Sequence, residues 1–169
     1  MTESGLVLTD RYLSAFEMAF EKHANQKRKG TQIPYITHLM AVSSLVLESG
    51  GDEDQAIAAL LHDAVEDQGG LVTLAEIRAA FGDRVADYVD GCTDSYPKPK
   101  PPWRERKMAY LEKLQGASVE ILLISLADKV HNARSILTDL QLSGARTWEK
   151  FTGKKTGTLW YYQSLANIF

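Results

Sequence analysis

The segment Ala58-Ala59-Leu60-Leu61-His62-Asp63-Ala64-Val65-Glu66-Asp67 changes abruptly from apolar to ionisable residues. Read as one helix, it places His62 above Glu66 and Asp63 above Asp67, because residues four apart share a helix face. An imidazole and three carboxylates then lie together at one helix end. Burying them without a positive partner would be costly, and a divalent cation would supply that charge. The alternative interpretation is a solvated helix end that stops at the glycines that follow.

A second apolar run, residues 121–127, also ends in an acidic residue, Asp128, and a further helical segment carries His38. The candidate metal ligands therefore come from three helices whose apolar faces would pack together; they are His38, His62, Asp63 and Asp128. Two imidazoles and two carboxylates without a thiolate suit Mn²⁺, Fe²⁺ or Zn²⁺ better than they suit a structural zinc site. The sequence thus predicts a mixed nitrogen and oxygen site with open coordination positions.

Each candidate has a structural alternative. A single histidine such as His38 is more often a core or surface residue than a ligand, and Asp128 could cap its helix or pair with Lys129. The position of Asp128 after an apolar run favours an inward orientation instead. His23 and His131 are interpreted as structural, since His23 falls on an apolar face and His131 is one position off the face of Asp128.

Open coordination positions favour hydrolysis, because a metal site with room for water can activate that water near neutral pH. Glu66 and Asp67 follow one turn later and can orient the water or protonate a leaving group. Asn132 and Ser135 share the helix face of Asp128 and can contact a ligand. Basic residues in several segments predict an anionic, phosphorylated substrate. They are Lys27, Arg28, Lys29, Arg104, Arg106, Lys107, Lys129, Arg134, Lys154 and Lys155.

Composition is that of an ordinary globular protein. The 169 residues are 44% hydrophobic and 24% charged, enough to bury a core without disulfides or structural metals. A net charge of −3 argues against duplex nucleic acid as a partner. The single cysteine, Cys92, suits a reducing compartment, and no signal peptide or membrane-spanning run is apparent. We therefore expect a cytoplasmic protein with neither nucleic-acid nor membrane partners.

Hydrophobic residues recur at helical spacing through most of the chain, and no segment alternates as a strand would, so the predicted class is all-α. The predicted helices span about residues 8–26, 34–49, 52–67, 73–82, 83–93, 103–114 and 118–140, with a last one from 159. Capping boxes are predicted at Asp52 with Gln55 and at Thr73 with Glu76. Residues 27–33, 96–102 and 152–157 are predicted as loops.

Three stretches together resemble the HD-domain superfamily: Arg28-Lys29 with Pro34-Tyr35-Ile36-Thr37-His38, then His62 to Asp67, then Leu126 to Ser135. Within it, the chain most resembles the alarmone hydrolase domain of the RelA/SpoT family, in particular its stand-alone small alarmone hydrolases of the Mesh1 type. The resemblance spans about residues 10 to 140. The four candidate metal ligands alone are common to many HD phosphohydrolases. The segments around Arg28, Glu66 and Asn132 are more specific to the alarmone hydrolases.

The resemblance implies an HD-type helical bundle over residues 1–169, with a central metal site. It implies Mn²⁺-dependent removal of the 3′-pyrophosphate from guanosine tetra- or pentaphosphate (ppGpp or pppGpp), as in the stringent response, yielding GDP or GTP and pyrophosphate. Carried over by position, the metal ligands are His38, His62, Asp63 and Asp128, the catalytic acid pair is Glu66 and Asp67, and the substrate-binding residues are Arg28, Lys29, Asn132 and Ser135. The loop 30–33 departs from the Lys-Ser-Gly type of long Rel proteins, which bears on base recognition.

Two alternatives stay open at this point. One is an HD phosphohydrolase for another nucleotide, such as a 5′-nucleotidase, an NADPH phosphatase or an adenine alarmone hydrolase, which a substrate panel would distinguish. The other is a non-catalytic module that binds an alarmone or a partner protein, although binding alone does not require the two carboxylates Glu66 and Asp67. The aromatic run Trp160-Tyr161-Tyr162 could pack within the chain or at a homodimer interface.

Overall fold

The computed structural model describes residues 6–96 and 99–169. These residues form an all-α fold without a strand, as predicted; only an isolated bridge joins Lys27 to Pro34. The helices are α1 (Asp10–Lys22), α2 (Ile36–Glu48), α3 (Glu53–Leu61), α4 (Ala64–Gln68), α5 (Leu71–Phe81), α6 (Asp83–Cys92), α7 (Trp103–Gln115), α8 (Val119–Ser143) and α9 (Lys154–Ala166), with a 3₁₀ segment at Gly144–Lys150.

Helix α3 forms the centre of the bundle. Every residue from Ala56 to Leu61 is fully buried, and the helix packs against α1, α2, α6 and α8. The predicted capping box starts it, since Asp52 Oδ1 accepts from the Gln55 backbone amide and Gln55 Oε1 accepts from that of Asp52. Burying a leucine such as Leu60 contributes about 1.5–3 kcal/mol to stability. The apolar run therefore fixes the position at which the ionisable residues begin.

The chain does not continue as one helix through His62 and Asp63, contrary to our expectation. Helix α3 ends at Leu61, the next two residues form a turn, and α4 begins at Ala64. The Asp67 amide donates to the Asp63 carbonyl at 3.0 Å, so Asp63 is the residue from which the hydrogen bonds of α4 begin. The turn thus directs His62 and Asp63 to the bundle centre and starts a new helix axis for the carboxylates that follow.

Helix α8 brings Asp128 to the centre of the bundle, beside His62 and Asp63. Ser118 accepts from the Ile121 amide and caps the helix, as predicted, and the helix continues to Ser143. A Cβ at Gly91 would lie 2.5 Å from Ile121 Cδ1, so this glycine allows α6 to approach α8 closely. Because α8 also packs on α2 and α3, Asp128 in its middle is buried against them.

A smaller apolar cluster joins α7 to α9. Tyr110 and Leu114 of α7 are buried with Tyr161 and Leu165 of α9. The prediction of a loop over residues 152–157 was wrong, since α9 begins at Lys154. This cluster places the C-terminal helix beside the segment that precedes α7.

The second predicted capping box was also wrong. Helix α5 begins at Leu71, after Gly70 with φ +62°, and Thr73 lies inside it, donating to the Gln68 carbonyl at 3.0 Å. The proline-rich connection is non-helical at residues 99–102, as predicted, while Pro97 and Lys98 lie outside the described residues. Within residues 6–96 and 99–169, none of the helices combines the length and apolarity needed to cross a lipid bilayer.

Candidate active site

Four predicted ligands meet at the centre of the bundle. Helix α2 supplies His38, the turn before α4 supplies His62 and Asp63, and α8 supplies Asp128. His38 Nε2 lies 3.1 Å from Asp128 Oδ1 and 3.6 Å from Asp63 Oδ2. His62 Nε2 lies 3.0 Å from Asp63 Oδ2 and 3.7 Å from Asp128 Oδ1. Two nitrogens and two oxygens therefore face one another, and we call these residues the metal set.

Hydrogen bonds on the far side of each imidazole favour Nε2 as the free ligand atom. His62 Nδ1 lies 2.8 Å from the Ala59 carbonyl, which can only accept, so Nδ1 carries the proton. His38 Nδ1 lies 2.7 Å from His131 Nδ1. Burial, together with the nearby Arg28 charge, lowers the pKa of His131 to about 4, so that ring is neutral. A His38 that donates from Nδ1 to His131 keeps its Nε2 lone pair free for a cation.

The spacing of the metal set fits a divalent cation. Ligand atoms about 2.1 Å from an ion are about 3.0 Å apart on adjacent octahedral positions and about 3.4 Å apart in a tetrahedron. The observed nitrogen to oxygen separations run from 3.0 to 3.7 Å. The Nε2 atoms of His38 and His62 are buried and make no well-formed hydrogen bond in the part of the chain described. A buried polar atom without a partner is costly, and a cation would satisfy both.

The charges of the metal set stabilise one another in the absence of a metal. Burial lowers the pKa of His62, but the Asp63 and Asp128 carboxylates outweigh burial and hold it well above the usual value. Burial raises the pKa of Asp63, yet His62 and His38 bring it well below the usual range. Metal binding therefore requires His62 to release a proton first.

Further side chains hold the two aspartates in place. The Tyr35 hydroxyl donates to Asp63 Oδ2 at 2.6 Å. Lys129 donates to Asp128 Oδ2, and its Nζ lies 5.1 Å from the Tyr110 ring centroid. Burial lowers the pKa of Lys129, but Asp128 outweighs burial and raises it well above the usual value. Lys129 is therefore a charged partner that leaves Asp128 Oδ1 directed at the histidines.

Glu66 and Asp67 lie next to the metal set and are held from several directions. Lys100 Nζ donates to Glu66 Oε1 at 2.7 Å and lies 3.8 Å from Asp67 Oδ1. The Asp94 amide donates to Glu66 Oε2 at 3.3 Å, and Gln26 Nε2 donates to Asp67 Oδ2 at 2.8 Å. Both carboxylates line a polar cavity of about 220 Å³ that Asp63 and Asp128 also line.

A second cavity, of about 560 Å³, adjoins the first and contains all the predicted substrate-binding residues. These are Arg28, Lys29, Asn132 and Ser135. The residues that line both cavities are Tyr35, Glu66, Lys107, Lys129 and Asn132. A volume of this size accommodates a nucleotide. The metal set therefore lies at one end of a nucleotide-sized space with basic side chains along its walls.

Arg28 is held over the mouth of that space. Its Nη2 donates to Asn132 Oδ1 at 2.7 Å, and its guanidinium lies 5.6 Å from the Tyr35 ring centroid. Ser135 Oγ donates to the His131 carbonyl at 3.1 Å, which leaves its lone pairs able to accept a bond from a ligand. Arg28 and Asn132 thus connect the loop after α1 to helix α8.

Comparison with known proteins identifies the family. A family model described as HD domain matches residues 15–167. The chain belongs to the HD domain family. The guanosine-3′,5′-bis(diphosphate) 3′-pyrophosphohydrolase MESH1 of Xenopus tropicalis is 39% identical over 127 residues, which cover 73% of this chain and 68% of that protein.

Two solved structures have a similar fold. A metazoan ortholog of SpoT that hydrolyses ppGpp superposes with a TM-score of 0.71 and 26% identity, over 98% of this chain and 97% of that one. A crystal structure from Listeria monocytogenes EGD-e gives a TM-score of 0.69 and 35% identity, over 77% and 81% of the two chains. The similarity therefore extends through the C-terminal helices, beyond the segments that carried the resemblance.

Eight of the ten predicted site residues line the two adjoining cavities, and the other two, His38 and His62, lie behind them against Asp63 and Asp128. The structure also adds residues that the sequence did not single out. His131, interpreted as structural, contacts the metal-set residue His38. His131 is three residues after Asp128 and therefore only about 60° away around the helix, an offset that the length of an imidazole side chain can span. Tyr35 was noted only as part of an HD-domain motif, and Lys100 comes from the proline-rich connection. Neither spacing nor residue type indicated these contacts.

Proposed function

We propose that this HD-domain protein hydrolyses the 3′-pyrophosphate of guanosine tetra- or pentaphosphate, giving GDP or GTP and pyrophosphate, with residues 1–169 acting as one hydrolase domain. The observation that carries the proposal is the metal set at the end of a basic cavity of about 560 Å³. The proteins named MESH1 and the metazoan SpoT ortholog, which act on this substrate, support the same assignment.

In the proposed site, His38, His62, Asp63 and Asp128 would hold a divalent cation, and that cation supplies Lewis acidity at the 3′-linked phosphate. Mn²⁺ is our proposal for the metal, since nitrogen and oxygen ligands without thiolate suit it. Fe²⁺ and Zn²⁺ are the alternatives, and metal analysis of the purified protein distinguishes the three.

The chain's own carboxylates carry the proton transfers. Glu66 and Asp67 hold a water molecule and accept its proton as the oxygen attacks the 3′-linked phosphorus atom. The bond from phosphorus to the ribose 3′-oxygen breaks, that oxygen takes a proton to become the 3′-hydroxyl, and pyrophosphate leaves. The Lys100 ammonium lies beside both carboxylates, 2.7 Å from Glu66 Oε1 and 3.8 Å from Asp67 Oδ1.

The basic walls bind and orient the nucleotide. The proposed substrate contacts are Arg28, Lys29, Asn132 and Ser135, with the half-buried Lys129 ammonium lining both cavities. These cations offset the negative charge of the phosphates as it shifts during bond cleavage. A guanidinium such as that of Arg28 can also bind a phosphate through two parallel hydrogen bonds.

We also propose that the protein acts in the cytoplasm, without nucleic-acid or membrane partners, and that it forms a homodimer. Tyr161 is buried within the chain, so a dimer through the C-terminal aromatic run would use its neighbours Trp160 and Tyr162. The molecular mass in solution tests the dimer.

A substrate panel with product analysis tests the activity. The protein is incubated with Mn²⁺ and ppGpp, pppGpp, an adenine alarmone, NADPH or a 5′-nucleotide, and phosphate and pyrophosphate are quantified separately. We expect pyrophosphate from the two guanosine compounds at the highest kcat/KM. Release of phosphate from NADPH or a 5′-nucleotide as the main reaction would assign the site to another HD phosphohydrolase activity.

A further inference from the structure

The side chain of Gln26 is oriented by three neighbours that admit only one arrangement of its amide. Its Nε2 lies 2.8 Å from Asp67 Oδ2, and its Oε1 lies 2.7 Å from His23 Nδ1 and 2.6 Å from Gln68 Nε2. An ionised carboxylate only accepts, so the atom beside Asp67 must be the amide nitrogen. A flipped amide would set oxygen against carboxylate and nitrogen against the Gln68 amide nitrogen.

This orientation also determines the state of His23. Because Gln26 Oε1 accepts, His23 Nδ1 must carry a proton. The ring is 2% exposed, and burial lowers its pKa, so it is neutral. Its face stacks on Tyr35 with the centroids 5.1 Å apart, while the Tyr35 hydroxyl donates to Asp63. A polar chain therefore leads from the buried His23 through the half-buried Gln26 to the exposed Asp67.

We propose that Gln26 is a positioning residue that holds the Asp67 carboxylate in the geometry required for proton transfer. This inference rests on the proposed function, in which Asp67 acts with Glu66 on the attacking water. The bond from Gln26 occupies Oδ2, whereas Oδ1 faces the Lys100 ammonium at 3.8 Å and accepts no hydrogen bond from residues 6–96 or 99–169. One carboxylate oxygen is therefore anchored, and the other is left for the water.

Nothing in the geometry links Gln26 to substrate or metal directly. It lines neither of the two cavities, and its hydrogen bonds go to His23, Asp67 and Gln68. Its loss should therefore change the rate of the chemical step while leaving ground-state binding in place. That combination separates a positioning role from general structural support.

The test compares wild-type protein with Gln26→Leu and Gln26→Glu in Mn²⁺-dependent pyrophosphate release from ppGpp. Gln26→Leu removes the whole chain of hydrogen bonds. Gln26→Glu keeps the acceptor for His23 and Gln68 but removes the donor to Asp67 and sets a second carboxylate against it. We expect kcat to fall about 10–100-fold in Gln26→Leu, as when outer-shell partners are lost, and at least as far in Gln26→Glu, with KM and Mn²⁺ affinity unchanged.

Gln55→Leu is the matched control. Gln55 is likewise a glutamine held by side-chain hydrogen bonds, and it is buried. Its Oε1 accepts from the Asp52 amide in the α3 capping box, so its loss should lower the melting temperature without changing kcat. Wild-type kcat in folded Gln26→Glu would overturn the role of Gln26 while leaving the proposed function intact. Equal falls in kcat for Gln26→Leu and Gln55→Leu would also overturn it. No turnover by wild-type protein would overturn both proposals.

Discussion

Replacing Tyr35 with phenylalanine removes one oxygen atom from the wall of the metal set. The Tyr35 hydroxyl donates to Asp63 Oδ2 at 2.6 Å, and that same oxygen lies 3.0 Å from His62 Nε2. Burial and the Asp63 charge raise the pKa of Tyr35 well above its usual value, so the phenol stays protonated and donates. The phenylalanine ring can keep the stack on His23. The change is therefore confined to one charge-assisted hydrogen bond.

The expected magnitude follows from the acceptor. A hydrogen bond to a charged group contributes about 1.5–3 kcal/mol, and about 1.4 kcal/mol corresponds to a factor of ten in affinity. The Asp63 side chain is 22% exposed, so water can replace part of the lost bond. We therefore expect the lower end of the range, a metal dissociation constant raised about 10–30-fold.

The assay is a calorimetric titration of metal-stripped protein with Mn²⁺, which gives the dissociation constant. Tyr12→Phe is the matched control, because the Tyr12 hydroxyl bonds to Ser43 Oγ, at 2.8 Å, and to no carboxylate among the described residues. We expect the control to keep wild-type Mn²⁺ affinity. Unchanged affinity in Tyr35→Phe, or the same loss in both variants, would refute the role given to the Asp63 hydrogen bond.

Three further substitutions separate catalysis, metal binding and folding. Glu66→Ala should lower turnover with the metal content unchanged, as measured by elemental analysis; loss of the metal would contradict its catalytic role. Asp128→Asn should abolish metal binding. Because it leaves the half-buried Lys129 ammonium without its carboxylate partner, it should also reduce the free energy of unfolding by about 3 kcal/mol in a urea titration. Leu60→Ala should lower the free energy of unfolding by about 2–5 kcal/mol in the same titration. Its control, Leu142→Ala, lies at a position 80% exposed and should lower it by less than about 0.5 kcal/mol. Similar losses in the two variants would contradict the central place of α3.

The parts of the site that sequence could predict are those where chemistry and helical spacing agree. The change from an apolar run to His62 and Asp63 indicated ligands at a helix end, and Asp128 followed the same pattern. Both patterns are local, because a buried helix must be apolar up to the point where it meets a charged site. The prediction that His38 is a metal ligand depended on the presence of these other candidate ligands.

The wrong predictions have local physical causes. Gly153 and Gly157 looked like loop residues, but a Cβ at either would come within about 3.1 Å of the Trp103 ring, so they are glycines because of packing. The pattern of Thr73 with Glu76 resembles a capping box, although the positive φ of Gly70 starts the helix three residues earlier. In both cases the prediction followed the structural role in which these residue types occur most often.

The contacts that support the site could not be predicted because they join distant parts of the chain. Lys100 reaches Glu66 from the proline-rich connection, and His131 reaches His38 from the middle of α8. The residue type of a lysine or a histidine does not predict which distant residue it will contact. Only the packing of α2, α3 and α8 around the turn at His62 brings these groups together.

The most direct test of the proposed function is turnover of ppGpp by metal-stripped protein, with and without added Mn²⁺. Pyrophosphate and phosphate are followed separately over the same time course. The proposed function predicts pyrophosphate and GDP only when Mn²⁺ is present, because the metal set must be filled before the carboxylates can act. Release of phosphate alone, or no turnover in either condition, would contradict it.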